Sequence, residues 1–226
     1  MIKLISTGIL GLDDLLGGGI TPGTIIDIFG PGGSGKTQLA MQISLNSLQD
    51  GTVLYLDATG EFSRSERMLQ LIKSKNLDPS LLDHVIVGRM MNIGDPPKYI
   101  EKISELRPNL VVIENITDLF SFEYYKEANL LEKHLRFMEY MHDLSLTAIN
   151  TKIPVIVTNM VRSMDGMETE NLNKSISMFT HKKIKLEKLE NDEKDDKVFK
   201  AQVLPSFGKR KEILYTITEA GLVELP

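Results

Sequence analysis

One short run of the chain combines glycines with a lysine and a threonine at a spacing that can hold a phosphate. Its members are Gly30, Pro31, Gly32, Gly33, Ser34, Gly35, Lys36 and Thr37, followed by Gln38. The order fits the phosphate-loop pattern G-x-x-x-x-G-K-[ST]. Glycines let the backbone curl until several N–H groups point at one phosphate. Lys36 can then reach the β- and γ-phosphates, and the Thr37 hydroxyl can bind Mg²⁺. We therefore expect a nucleoside triphosphate here.

The flanks of this loop predict the strand and helix that it requires. Residues 24–29 form an apolar run typical of a buried strand, and residues 38–45 have the composition of a helix whose N-terminus would face the anion. No nucleophilic Ser, His and Asp arrangement stands out. His84, His134 and His142 have no second ligand at metal-binding spacing. The chemistry is expected to centre on the phosphate loop.

The composition is that of an ordinary globular domain. With 226 residues, 42% of them hydrophobic and 25% charged, the chain can build one full core. It shows no membrane-length apolar run and no signal peptide. The absence of cysteine excludes disulfides and is consistent with a reducing cytoplasm. A net charge of −5 argues against a globally basic nucleic-acid binder, so any DNA contact must come from a local basic patch.

Strands and helices alternate along the first two thirds of the chain, which predicts a parallel sheet with crossover helices. The further strands are expected at 52–57, 84–87, 110–114 and 153–158, and the helices near 65–74, 97–105 and 129–148. The last helix has apolar residues at helical spacing, namely Leu131, Leu135, Met138, Met141 and Leu144. Beyond residue 161, segments 184–186, 198–203 and 213–217 favour antiparallel strands, the first two joined by a charged turn at 190–196.

Several segments together resemble one family. They are 6–8 (STG), 12–20, 38–40, 55–57, 66–67, 113–120, 157–161 and 216–221 (TITEAG). These are similar to the RecA-type ATPase core of the archaeal RadA and RadB recombinases, over nearly the whole chain. The resemblance implies an α/β fold, a RecA-like P-loop core with a mostly parallel central sheet, flanking helices and antiparallel C-terminal strands. It implies a single core domain over 1–226 without the N-terminal helical DNA-binding domain of RadA, a layout that resembles RadB.

The resemblance also implies ATP and Mg²⁺ as ligands and assigns residues to them. Arg67 matches the arginine that stacks on adenine, and Glu114 stands where the family has the aspartate that, with Thr37, faces Mg²⁺. The family's catalytic glutamate is replaced by Thr59, which cannot act as a general base at neutral pH. Either Glu61 serves through a shifted loop, or hydrolysis is weak, and we favour weak hydrolysis. Since Lys36, Thr37 and Glu114 are present, we expect the chain to be a weak ATPase, with or without stimulation by DNA.

The segments that match the family's DNA loops depart from its pattern. Met160 replaces a glutamine that senses the γ-phosphate, and methionine cannot make that hydrogen bond. Glu127 replaces an arginine that meets DNA. Tyr124, Tyr125 and Lys126 either contact DNA or pack at the base of their loop. The second loop, 162–177, is long and polar, with Arg162 and Lys174 as DNA candidates. Lysines at 182, 183 and 185 and the basic run 209–211 either contact DNA or form solvated strand faces.

The implied function is that of a RadB-like accessory protein of homologous recombination and DNA repair. It would bind single-stranded or duplex DNA and the main recombinase in the cytoplasm, with no membrane partner and with possible self-association. Two alternatives stay open from the residues. One is a regulatory RecA-like ATPase of the circadian-clock type that does not act on DNA. The other is a catalytically inactive scaffold, which Thr59 and Met160 favour and Lys36 and Thr37 oppose.

Overall fold

The protein was analysed as a computed structural model that describes residues 3–58, 65–124, 130–164, 167–189, 197–205 and 211–226. The helices are α1 (Leu10–Leu16), α2 (Lys36–Leu48), α3 (Ser65–Ser74), α4 (Asp95–Leu106), α5 (Ile116–Glu123), α6 (Leu130–Thr151) and α7 (Asn173–Ile176), with a 3₁₀ helix at Pro79–His84. The strands are β1 (Ile25–Gly30), β2 (Val53–Asp57), β3 (Val85–Arg89), β4 (Leu110–Glu114), β5 (Val155–Met164), β6 (Met167–Glu170), β7 (Lys182–Lys188), β8 (Phe199–Leu204), β9 (Glu212–Thr218) and β10 (Gly221–Glu224).

The strands form one twisted sheet in the order β10-β9-β8-β7-β1-β5-β4-β2-β3, with β6 paired to β5 alone. The six strands from β7 to β3 run parallel, whereas β8, β9 and β10 continue the sheet antiparallel. β1 lies between β5 and β7, so the phosphate loop leaves the sheet near its middle. The mostly parallel sheet with an antiparallel C-terminal extension confirms the predicted fold class.

The central strands are buried on both faces, which is why they are apolar without alternation. In β2, Val53 and Tyr55 pack into the core under α2 and α3, while Leu54 and Leu56 pack into the core under α4, α5 and α6. Both cores thus rest on one sheet. Since parallel strands end at the same edge, the residues after β1, β2 and β4 meet there.

Several strands and loops begin or end at other residues than the sequence predicted, each for an identifiable reason. Segment 162–177 was expected to be a loop, and this was wrong, because β5 continues to Met164 and pairs antiparallel with β6 before the short α7. The polar composition of the segment concealed this hairpin. β5 begins at Val155 rather than at 153, since Pro154 cannot donate to the ladder. His84 ends the 3₁₀ helix instead of opening β3.

The buried face of α6 is confirmed at Met141 and Leu144 but differs from the prediction in the N-terminal part of the helix. Leu131 and Leu135 are exposed, at 73% and 52%. The core contacts come from Phe137, Tyr140, Met141, Leu144 and Ala148. Aromatic residues therefore replace leucines on the packed side. The expected charged turn at 190–196 lies outside the described residues, although β7 and β8 on either side of it pair as an antiparallel hairpin would. Among the described helices, none is long and apolar enough to cross a membrane.

Candidate nucleotide-binding site

The phosphate loop connects the end of β1 to the start of α2, as predicted. Gly30 lies so close to β7 that an added Cβ would stand 2.2 Å from the Leu186 carbonyl oxygen. Gly35 has φ of +93° and precedes Lys36, the first residue of α2. A side chain at either position would clash or strain the backbone. The glycines are therefore required for the loop to curl in front of the helix N-terminus.

A cavity of about 420 Å³ opens beside this loop. Its lining residues are Gly32, Gly33, Gly35, Lys36, Thr37, Gln38, Asn115, Asp118, Met160 and Ile217. Lys36 is 7% exposed, and its Nζ donates to the carbonyl oxygens of Gly30 and Pro31 at 2.9 and 2.8 Å. Tyr215, from β9, donates from its hydroxyl to the Ser34 carbonyl at 2.6 Å, which fixes the loop from the antiparallel side of the sheet.

Glu114 ends β4 directly opposite the loop and is completely buried. The Thr37 hydroxyl donates a short hydrogen bond to Glu114 Oε1, and the Tyr55 hydroxyl donates to Oε2 at 3.0 Å. Two hard oxygen donors, one hydroxyl and one carboxylate, thus stand together at the entrance of α2. This is the donor chemistry that Mg²⁺ prefers.

Asn115 supplies a further polar atom at the same place. It lines the cavity and adopts a left-handed backbone with φ of +49°, which asparagine tolerates better than most residues. Its side-chain oxygen Oδ1 is buried and has no hydrogen-bond partner among the described residues. Such an acceptor fits a water molecule held by Mg²⁺, since a buried polar atom is costly unless it is paired. The residues present therefore fit a magnesium-bound triphosphate.

Arg67 forms one side of the nucleotide region from α3. Its Nε donates to Gln38 Oε1 at 2.7 Å, and its guanidinium also donates to the carbonyls of Thr218 and Glu219, at 2.6 and 3.2 Å. The turn between β9 and β10 is thereby tied to the first residues of α2. Arg67 is placed beside the cavity, in contact with a residue that lines it.

A buried polar network leads from this site to the β5–β6 hairpin. Asn159 is fully buried on β5, and its amide oxygen accepts from the Thr117 hydroxyl. Its Nδ2 donates to Glu170 at 2.9 Å and to the Asn171 carbonyl at 2.8 Å. Asn171 Nδ2 in turn donates to Thr117 at 2.9 Å, which closes the network. Thr117, near the start of α5, and the end of the hairpin are therefore joined through two asparagines, Asn159 and Asn171.

Three ionisable side chains meet at the end of this network, and two of them, Asp27 and Glu170, are buried. Lys183 Nζ forms a short ion pair with Glu170 and lies 3.2 Å from Asp27 Oδ2, although without hydrogen-bond geometry to Asp27. Burial, reinforced by Glu170, raises the pKa of the Asp27 carboxyl well above its ordinary value. One lysine thus lies within ion-pair distance of two acids, and burial disfavours the charged form of the carboxyl on β1.

The residues predicted to meet DNA fall into three groups. Arg162 is half-exposed and pairs with Asp118 of the nucleotide cavity at 3.2 Å, while Lys174 on α7 is exposed. Tyr124 is buried at the end of α5, so it packs at the base of its loop. Lysines 182, 183 and 185 are engaged within the protein, with the Leu16 carbonyl, Glu170 and Glu187 respectively. Predictions were also made for residues that lie outside the described part of the chain, namely Thr59, Glu61, Tyr125, Lys126, Glu127, Lys209 and Arg210.

Sequence reasoning missed Tyr55, Asn115, Asp118, Asn159 and Ile217 as parts of the site. All five lie inside segments that resemble the family, but the partners of Asp118 and Asn159 come from elements distant in the sequence. Tyr55 is 59 positions from Glu114, and only the parallel pairing of β2 with β4 reveals the contact. Among the described residues, no group of His and acidic side chains could hold a metal ion of its own.

Comparison with known proteins places these features in context. The sequence matches the family described as Rad51 over residues 1–225. The DNA repair and recombination protein RadB of Pyrococcus furiosus is 34% identical over 163 residues, which cover 70% of this chain and 68% of that protein. The RadB protein of Pyrococcus abyssi is 34% identical over 161 residues, 70% of this chain and 66% of that protein. The DNA repair and recombination protein RadA of Ignicoccus hospitalis is 30% identical over 243 residues, 98% of this chain and 73% of that protein.

Proposed function

This chain belongs to the Rad51 family, and from that premise we propose that it acts in DNA repair and recombination as a RadB-like, ATP-binding accessory protein. The observation that carries the proposal is the meeting of Thr37 and Glu114 at the mouth of the phosphate loop. A hydroxyl and a carboxylate held there can hold Mg²⁺, the hydroxyl as a direct ligand and the carboxylate through a metal-bound water. The same loop presents Lys36 and the start of α2 to the same cavity.

In the bound state the triphosphate supplies negative charge and Mg²⁺ neutralises part of it. Lys36 would leave the loop carbonyls and contact the β- and γ-phosphates. Thr37 would bind the metal ion directly, while Glu114, held by Tyr55, would accept from a metal-bound water. Arg67 and Gln38 would flank the base. Each role uses a residue that lines or borders the cavity.

We propose that hydrolysis is slow, and that ATP acts mainly as a switch. Thr59 offers no carboxylate to orient the attacking water, and Met160, which lines the cavity, cannot hydrogen-bond a phosphate. Two other links lead from the cavity toward the hairpin, the Arg162–Asp118 ion pair and the Asn159 network. Nucleotide binding would then reorder the surface that carries Arg162 and Lys174, which are the proposed DNA contacts.

The regulatory ATPase alternative is not favoured, because the relatives that match this chain are named as repair and recombination proteins. The scaffold alternative is opposed by the paired Thr37 and Glu114, since a pure scaffold has no physical need for a magnesium-binding pair. Partners of the proposed function are DNA and the main recombinase.

The experiment is a titration of labelled single-stranded and duplex DNA with the full chain, with and without ATP and Mg²⁺, at two salt concentrations. Phosphate release is followed in the same samples. Salt-sensitive DNA binding that responds to ATP, with slow phosphate release, supports the proposal. Tight ATP binding with no DNA contact at low salt overturns it and favours a regulator. If the chain binds neither ATP nor DNA, the result favours the catalytically inactive scaffold.

A further inference from the structure

An ion pair at the edge of the nucleotide cavity connects this cavity to the surface of the β5–β6 hairpin. Asp118 lines the cavity, and its Oδ1 accepts a hydrogen bond from Arg162 Nη2 at 3.2 Å. The two side chains differ in accessibility, because that of Asp118 is 20% exposed and that of Arg162 is 51% exposed. The carboxylate thus belongs to the cavity, whereas the guanidinium is open to a ligand that approaches from solvent.

Asp118 lies at the end of the cavity that is proposed for Mg²⁺. Its amide donates to the carbonyl oxygen of Asn115 at 3.0 Å in the first turn of α5, and Asn115 directly follows Glu114 in the chain. Thr37 contacts Glu114 from the phosphate loop. A group next to this pair is close to the phosphates that Mg²⁺ bridges. A carboxylate there is unfavourable beside the terminal phosphate unless a cation compensates its charge.

Arg162 is the compensating cation, and its own surroundings favour a second anion. Lys133 on α6 lies near it, since burial, and to a smaller extent the charge of Arg162, lowers the pKa of the Lys133 ammonium. Two neighbouring cations repel each other and attract a phosphate group. Among the described residues, Asp118 is the one acid that forms an ion pair with Arg162. A phosphate at this surface therefore competes with Asp118 for the guanidinium.

We propose that the Arg162–Asp118 pair couples DNA and ATP so that each weakens the binding of the other. A DNA phosphate that draws Arg162 away leaves the Asp118 carboxylate uncompensated beside the terminal phosphate of ATP, which weakens ATP binding. ADP lacks that phosphate and is affected less. Since coupling between two ligands is reciprocal, ATP weakens DNA binding by the same factor. This inference rests on the proposed function, because it assigns the residues that set the sign of coupling between the two proposed ligands.

The test is a calorimetric titration of the full chain, in the presence of Mg²⁺, with ADP and with the non-hydrolysable β,γ-imido analogue of ATP. Each titration is repeated with a saturating single-stranded oligonucleotide. We expect the oligonucleotide to weaken binding of the ATP analogue about threefold to tenfold, as the loss of one compensating charge at close range would, and binding of ADP less than about twofold.

Two substitutions separate this coupling from general repulsion between DNA and ATP. Without DNA, Arg162→Gln should weaken binding of the ATP analogue about threefold to tenfold. The same change in an Asp118→Asn background should have no effect, because the carboxylate that Arg162 compensates is then absent. In Asp118→Asn alone, DNA should no longer alter the affinity for the ATP analogue.

The matched control is the ion pair between Arg136 and Glu139 on α6. It is exposed, its Nη1–Oε2 distance is 3.3 Å, and it lies outside the lining of the nucleotide cavity. Arg136→Gln and Glu139→Gln make the same changes of charge as the substitutions above, and they should leave both nucleotide affinities and their response to DNA unchanged.

The proposal is overturned if DNA leaves the affinity for the ATP analogue unchanged or raises it, if DNA weakens ADP and the analogue equally, or if the DNA effect persists in Asp118→Asn. In each of these cases the chain still binds nucleotide and DNA separately, so the proposed function stands. A chain that fails to bind the ATP analogue alone or DNA alone contradicts the proposed function, and this inference with it.

Discussion

Glu114 shows how one residue adapts the proposed magnesium site. A glutamate carries its carboxylate one methylene further from the backbone than the aspartate of the family pattern, so it needs support at both oxygens. Thr37 supplies that support from the phosphate loop and Tyr55 from β2. The carboxylate is completely buried, and its orientation is therefore set by the protein rather than by solvent.

This arrangement predicts a positioning role for Tyr55. In Tyr55→Phe, Glu114 loses a hydrogen bond worth about 1.5–3 kcal/mol when the acceptor is charged. We expect ATP affinity in the presence of Mg²⁺ to fall about tenfold, with little change when the metal is chelated, as measured by fluorescence titration. Tyr140→Phe is the matched control, since its hydroxyl has no described partner. An equal loss with and without Mg²⁺ would rule out this role.

Because the Asp27 carboxyl is buried, we expect the free energy of unfolding to depend on pH. Its pKa is raised by burial and by Glu170, so the folded state holds this proton more tightly than the unfolded chain. The resulting stabilisation is complete below the unfolded value of about pH 4 and is lost as pH rises toward the folded pKa. Asp27→Asn removes this titration but keeps the shape of the side chain.

We therefore expect Asp27→Asn to become progressively more stable than the unmodified chain as pH rises from about 4 to 8, in urea unfolding. The exposed Asp83→Asn serves as a control that should show no such trend. A stability difference that stays constant across this range would mean that Asp27 titrates normally.

At the scale of elements, the described part of the β5–β6 hairpin is connected to the nucleotide site by side-chain hydrogen bonds. Asn159 bonds Thr117, Glu170 and the Asn171 carbonyl, and the Asn171 side chain adds a second bond to Thr117. Lys183 then anchors Glu170 to β7. We therefore expect a change at the start of α5 to affect the strand that carries Arg162.

This connection predicts the effect of Asn159→Ala. The substitution removes the acceptor of the Thr117 hydroxyl and the amide donor to Glu170 Oε1, which should lower the free energy of unfolding by about 2–4 kcal/mol. We expect faster hydrogen exchange at the amides of 161–170, with smaller changes in β2 and β3. Thr117→Ser, which keeps the hydroxyl, should leave exchange unchanged. Uniform acceleration across all strands would indicate global destabilisation and contradict a local connection.

Sequence patterns predicted the parallel strands and the phosphate loop because these depend on local composition. The run from Leu110 to Glu114 is apolar because it is buried on both faces, and the loop glycines are dictated by local backbone geometry. Patterns could not predict the Tyr55–Glu114 contact or the Asn159 network, since both join residues from different strands. The hairpin at 161–170 was missed because its polar side chains give no apolar alternation, and its pairing is fixed by backbone hydrogen bonds.

At the scale of the whole molecule, a net charge of −5 limits DNA binding to a local surface. Most lysines of β7 are already engaged within the protein, which leaves the face near α7 and the hairpin as the proposed contact. Binding there should involve few phosphates, and its salt dependence should be correspondingly modest.

Lys174→Ala is therefore expected to reduce the slope of log affinity against log salt by about one unit, as the loss of a single phosphate contact would. The measurement is fluorescence anisotropy of labelled DNA at several salt concentrations. Lys73→Ala, an exposed lysine on α3, is the matched control and should leave the slope unchanged. Equal slopes for all three proteins would exclude α7 from the DNA contact.

The most direct measurement is a calorimetric titration of ATP into the full chain with Mg²⁺ and with a chelator, repeated for Lys36→Ala and Glu114→Gln. We expect Mg²⁺ to strengthen ATP binding by the unmodified chain. Lys36→Ala should bind ATP at least about tenfold more weakly, whereas Glu114→Gln should lose only the strengthening by Mg²⁺. Binding that is insensitive to Mg²⁺ and to both substitutions, or no binding at all, would contradict this expectation.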